Sequence, residues 1–189
     1  PEQYANTVRD LKIAYEAIKN VAAPFRLATC GWVLGPQHDR AALDADLPKD
    51  VPAAAISRSF GYTAVDPAFG RMEGREKWAI PWLESDGGEH GLASVQLFAG
   101  RMRRDAADAL AYRCTGLMGL QWRTEILAPN ISALAQAAWD QTGWKNPETG
   151  NEGATAKNRF LPCDDFYSDW AAASFGPEAA DAIGRLFVS

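Results

Sequence analysis

Carboxylates set beside tryptophans and arginines are the chemistry-bearing residues of this chain. The clearest stretch is "KWAIPWLESD", residues 77–86, where the apolar run Ile80, Pro81, Trp82 and Leu83 ends on Glu84 and Asp86. A surface hairpin has little use for that order, whereas a buried strand that emerges at the rim of a cavity delivers its last side chains there. Three other apolar runs finish in the same way. The first ends at Trp32, with Gln37, His38 and Asp39 behind it; another leads to Ser57 and Arg58; the last leads to Gln121, Trp122, Arg123 and Glu125. Gathered on one edge, such residues suit a sugar. Indole faces stack on the apolar side of a pyranose, charged and amide groups bind its hydroxyls, and a pair of carboxylates can cleave its glycosidic bond. Glu84 is then the leading carboxylate and Glu125 or Asp86 the second. Trp32, Trp82 and Trp122 are the sugar platforms, and His38, Asp39, Arg58, Gln121 and Arg123 are binding groups.

Each of these residues also has a purely structural reading. Glu84 suits a solvated strand end, or an ion pair with Arg123 or Arg58. Trp82 and Trp122 suit a core. A charge directly after an apolar strand, as at Arg123, needs a partner when buried, either Glu84 or a bound group. His38 and Asp39 read equally as loop and helix-cap residues. The "NIS" at Asn130 matches a glycosylation acceptor, but its place after Pro129 reads better as a helix N-cap. The basic cluster Arg101, Arg103 and Arg104 is followed by Asp105 and Asp108 and reads as a solvated helix start.

The elements that must position these groups follow from periodicity. A leading helix over residues 1–20 has apolar residues at Tyr4, Val8, Leu11, Tyr15 and Ile18. Apolar runs starting near 26, 53, 77 and 115 read as strands, separated by helical or loop segments. Alternation of that kind implies parallel pairing through crossovers. A complete eight-fold barrel allots about 31 residues to each strand and helix. The observed spacings straddle that value, which makes residues 25–142 four βα units, or half a TIM barrel. The expected domain is thus a single α/β half-barrel over 1–189, with a long loop at 143–162 and closing helices at 163–189. An open doubly wound sheet is the competitor, although no glycine-rich phosphate loop follows any of the runs. Half a barrel leaves two strand edges unpaired, which invites a homodimer or a missing N-terminal half-barrel.

Composition narrows the function. Net charge is −5, so nothing attracts nucleic acid or an anionic membrane surface. No apolar run is long enough to span a bilayer. Cys30, Cys114 and Cys163 are odd in number and widely spaced, and read as buried free thiols. His38 and His90 are the two histidines, too few for a histidine-rich metal site, and no cofactor or metal is expected. The first residue is Pro, and the chain stops within an amphipathic pattern; this reads as a piece of a longer parent, secreted or periplasmic, whose targeting signal is out of view.

The segments "CGWVLGPQHDRAALDADLPKDV", "KWAIPWLESD" and "RRDAADALAYRCTGLMGLQWRTEILAPNISALAQAAWD" together define a resemblance. The chain resembles, from about Phe25 to Asp140, the C-terminal half of a bacterial TIM-barrel glycoside hydrolase. The type is found in polysaccharide-degrading proteins that also carry malectin-like domains. In such retaining barrels the nucleophile follows the seventh strand and the acid/base the fourth. The resemblance makes "KWAIPWLE" the seventh strand and puts Glu84 in the nucleophile's place, with the acid outside this chain. It implies either a hydrolase of poly- or oligosaccharides or a non-catalytic carbohydrate-binding or assembly module.

Overall fold

The computed structural model describes residues 2–31, 34–57, 65–84, 97–122, 125–141 and 161–188. Among them 55% are helical and 8% lie in strands. In chain order the elements are α1 (Glu2–Asn20), α2 (Leu43–Asp46), β1 (Ala53–Ile56), a 3-10 helix (Pro67–Arg71), β2 (Lys77–Ile80) and α3 (Ala99–Ala111). They continue with β3 (Gly116–Leu117), a second 3-10 helix (Glu125–Leu127), α4 (Ala128–Trp139), α5 (Asp164–Phe175) and α6 (Pro177–Val188).

The three strands are parallel and lie in the order β1-β2-β3. Ala53 stands opposite Lys77, Ile56 opposite Ile80, and Trp78 opposite Gly116. A side chain at Gly116 would bring its Cβ to 2.6 Å from Trp78 Cδ1, so glycine is what lets β3 lie this close to the indole. Beyond the regular ladder, Trp82 still bridges to Leu120.

This is not the half TIM barrel expected above, and four βα units do not form. The run after Pro24 lies along β1 without becoming a fourth strand. Thr29 N–H donates to Pro52 O at 3.0 Å and Ile56 N–H to Gly31 O at 2.8 Å. Between them, however, the Ala54 N–H goes to the Thr29 hydroxyl at 3.2 Å instead of a main-chain carbonyl. A side chain has replaced a rung of the ladder. The connection from β1 to β2 also lacks an α-helix among the described residues. Asp66 accepts from Ala68 N–H at 3.0 Å and Pro67 opens the turn, which ends after one short 3-10 segment. Among the described residues, only β2 to β3 crosses over through a full α-helix, α3.

Two apolar clusters flank the sheet. One joins β1 and β2 to α1 and α2 through Leu34, Val51, Phe69 and Met72. The other packs Leu83 against Met102, Leu134, Phe166 and Tyr167 from α3, α4 and α5, and Leu117 touches both. Two cations lock the end of the sheet where the strands begin. Arg75 spends all five guanidinium hydrogens: Nε on Asp44 Oδ1, Nη1 on the carbonyls of Pro48 and Val51, Nη2 on those of Asp44 and Leu47, at 2.7–3.2 Å. It thereby satisfies the open carbonyls at the end of α2. Lys77 Nζ donates to the carbonyls of Phe69, Met72 and Tyr112 at 2.8, 3.1 and 2.6 Å, tying the 3-10 helix and the end of α3 to β2.

The basic start of α3 is not solvated. Arg101, Arg103 and Arg104 are at most 2% exposed. Each has a local compensation: Arg103 forms a two-pronged pair with Asp165 of α5, Arg104 Nε lies 3.0 Å from Asp108 Oδ1, and the Arg101 guanidinium sits 3.9 Å from the Phe98 ring centroid. The thiols also differ from expectation. All three are free, but Cys30 is exposed and Cys114 and Cys163 are half-buried. No helix of the described residues is long and apolar enough to cross a membrane.

Candidate active site at the C-terminal edge of the sheet

With the opposite end closed by Arg75 and Lys77, the edge where the strands finish is the side left for chemistry, as in other parallel sheets. After Ile80 the β2 chain stays extended. Leu83 N–H donates to Leu120 O at 2.9 Å, and Leu120 N–H to Pro81 O at 2.9 Å. Side chains alternate along this extension. Leu83 enters the helical cluster, whereas Trp82 and Glu84 belong to the other face.

On that face three sequence candidates meet. Trp82 is 2% exposed, and its indole Nε1–H donates to Ser57 O at 3.1 Å, which ties the end of β1 to that of β2. Its ring centroid is 6.3 Å from that of Trp122, with the planes at 49°. The Trp122 main-chain N–H in turn donates to Glu84 Oε1 through a short hydrogen bond. Glu84 is fully buried at 0% exposure, while Trp122 is 67% exposed. A buried carboxylate and an open indole face therefore stand next to each other at the strand ends. A buried carboxylate needs donors, and the main-chain N–H of the neighbouring strand end supplies one with little entropic cost. Gln121, beside Trp122 in the chain, keeps its side-chain Oε1 buried and without a hydrogen-bond partner among the described residues.

The remaining candidates are placed differently. Glu125 is exposed on the 3-10 helix that precedes α4, on a different element from the strand ends. His38 and Asp39 are exposed in the turn before α2. Asp39 serves that turn, accepting from Ala41 N–H at 3.1 Å and standing 3.9 Å from Arg71. Trp32, Arg58, Asp86 and Arg123 lie outside the described residues, and so do His90 and the pairing of Glu84 with Arg58 or Arg123. Among the described residues no three His, Cys, Asp or Glu side chains are grouped to hold a metal ion.

One residue at this edge escaped the sequence reading of its role. Asn130 does not cap α4, which begins at Ala128 with Leu127 as its N-cap. Instead its carboxamide is fully buried between Leu83 and Phe98. The only sequence signal was an amide early in an otherwise apolar helix, which local rules assign to a cap. Burial also leaves Asn130 unavailable as a glycan acceptor in the folded chain. The chain matches no protein-family model, no curated protein and no solved structure.

Proposed function

We propose that this domain is a glycoside hydrolase acting on a poly- or oligosaccharide, with Glu84 as its leading carboxylate. The observation that carries the reading is the fully buried Glu84 carboxylate at the C-terminal end of the middle strand, held by Trp122 N–H beside the open Trp122 ring. A carboxylate fixed by a main-chain donor keeps one geometry, which attack on or general-base assistance at an anomeric carbon requires. The adjacent indole offers the apolar face of a sugar ring a stacking surface. The second carboxylate in this reading is Asp86 or Glu125; retention requires about 5–5.5 Å between the two carboxyl groups and inversion about 6.5–9.5 Å. Carbohydrate is the partner required; the reading makes no use of a second copy or a further half-barrel.

The test compares the native chain with Glu84→Gln on a panel of aryl glycosides and plant and algal polysaccharides. Glutamine keeps an oxygen that accepts from Trp122 N–H but is neither nucleophile nor base. Turnover is expected to fall by at least about 1000-fold. Undiminished hydrolysis would remove Glu84 from the reaction.

A second reading, a carbohydrate-binding module without turnover, is favoured by one observation: the Glu84 carboxylate is fully enclosed while the neighbouring indole is open. Titration with oligosaccharides, followed by tryptophan fluorescence, separates the two. Saturable binding with no product released supports the module.

A further inference from the structure

We infer that Asn130 is a positioning residue for Glu84, holding the main chain from which that carboxylate projects. The inference rests on the assignment of Glu84 given above for its catalytic meaning, though not for its geometry. Asn130 lies in the first turn of α4 and is 0% exposed. Its Nδ2–H donates to Leu83 O at 2.8 Å, and its Oδ1 accepts from Phe98 N–H at 2.8 Å. One carboxamide thus grips both the residue immediately before Glu84 and the N-cap of α3, which are far apart in the chain.

One of these two contacts acts on the peptide that carries Glu84. The Leu83 carbonyl belongs to the Leu83–Glu84 peptide plane, so its bond to Asn130 sets the direction in which the Glu84 Cα–Cβ bond leaves the strand. Leu83 N–H is already fixed on Leu120 O at 2.9 Å. The side chain is then fixed at its far end by Trp122 N–H. Without Asn130 the Leu83 carbonyl is a strand-end acceptor in a buried place with no β-partner among the described residues, and such a group turns to find another donor. Any rotation of that peptide moves the Glu84 carboxylate away from Trp122 N–H. The carboxamide is uniquely suited because one group must donate and the other accept, within a single short side chain. Aspartate offers only acceptors when it is ionised, and leucine has the shape without either function.

Asn130→Asp, measured at a pH where its carboxyl is ionised, therefore breaks the Leu83 contact selectively while still accepting from Phe98. Three measurements test it. Hydrogen exchange at the Trp122 amide, read by NMR, should speed up at least tenfold in Asn130→Asp but not in Val51→Ala, a core variant in the other apolar cluster chosen for a matching loss of Tm. On the best aryl glycoside, kcat should fall about 100-fold with KM changed less than about threefold. In the native chain under low urea, the Asn130 carboxamide and the Trp122 amide should open together; this arm holds even if the variants do not fold. Trp122 protection unchanged in Asn130→Asp overturns the inference, as does equal loss of protection in Val51→Ala or independent opening in the native chain. If Glu84→Gln keeps full turnover while Asn130→Asp loses Trp122 protection, the hydrolase assignment fails and the positioning of Glu84 stands.

Discussion

Trp122 serves the candidate site twice, through a main-chain N–H on Glu84 and a ring left two-thirds open. Trp122→Ala keeps the N–H and removes the ring. Oligosaccharide affinity, by calorimetry, should drop about two- to tenfold, since aromatic stacking contributes about 0.5–1.5 kcal/mol, with Tm nearly unchanged. Arg75 is the opposite case, a residue whose effect is all structural. Its side chain is fully buried with every donor used, and Arg75→Met leaves the Asp44 carboxylate and four carbonyls without it. Urea unfolding should show a loss of about 3–5 kcal/mol, and Arg75→Lys should recover little of it because three ammonium hydrogens cannot replace a fork of five. The cysteines separate by environment. Burial pushes the Cys114 thiol up to about 11, whereas Cys30 is exposed. Iodoacetamide at pH 8 should therefore label Cys30 well before Cys114. Trp122 and Glu84 were legible in the sequence because an aromatic and an acid at the end of an apolar run are local signals. Arg75 and Asn130 were not, because their partners lie 24 to 47 residues away.

At the scale of elements, α3 carries most of the surprise. Eleven of its thirteen residues are buried, including three arginines. The basic cluster followed by two aspartates looked solvated, since a helical wheel cannot show that α5 supplies Asp165 to Arg103. The approach of residue 161 explains a glycine in the first turn of α3. A Cβ on Gly100 would lie 2.4 Å from Leu161 O, and Leu161 N–H bonds to Gly100 O at 3.0 Å. The obstacle is backbone, which cannot swing aside. Gly100→Ala should cost about 1–3 kcal/mol in chemical denaturation in spite of alanine's better helix propensity. A stabilising Gly100→Ala would show that the 161–163 segment is not docked on α3.

For the whole molecule, ion pairs between distant elements make stability depend on acid. Hydrogen bonds and charge from Arg103 hold Asp165 below the usual carboxylate range. Burial works against Asp44, but hydrogen bonds from Lys49, Arg75 and Glu73 N–H outweigh it and leave its value lowered too. Because the folded carboxylates bind protons less readily than the unfolded ones, their contribution is complete above about pH 4 and disappears as pH falls through the folded values. Urea midpoints should therefore be flat near neutrality and fall below about pH 4, and Asp165→Asn should reduce that acid dependence. A midpoint that stays constant down to pH 2.5 would contradict the role of both pairs.

By itself the sequence determined the positions of β1, β2 and β3, their parallel sense, the long helices and the carboxylate and indoles at the strand ends. These depend on apolar periodicity and turn residues within a few positions of one another. The tertiary structure alone decided that the run around Thr29 would not become a fourth strand and that the arginines of α3 would be buried. Each of those outcomes depends on a hydrogen bond or charge supplied from another part of the chain, or on a side chain competing with the main chain for a donor. A local pattern holds no record of such partners until the fold brings them together.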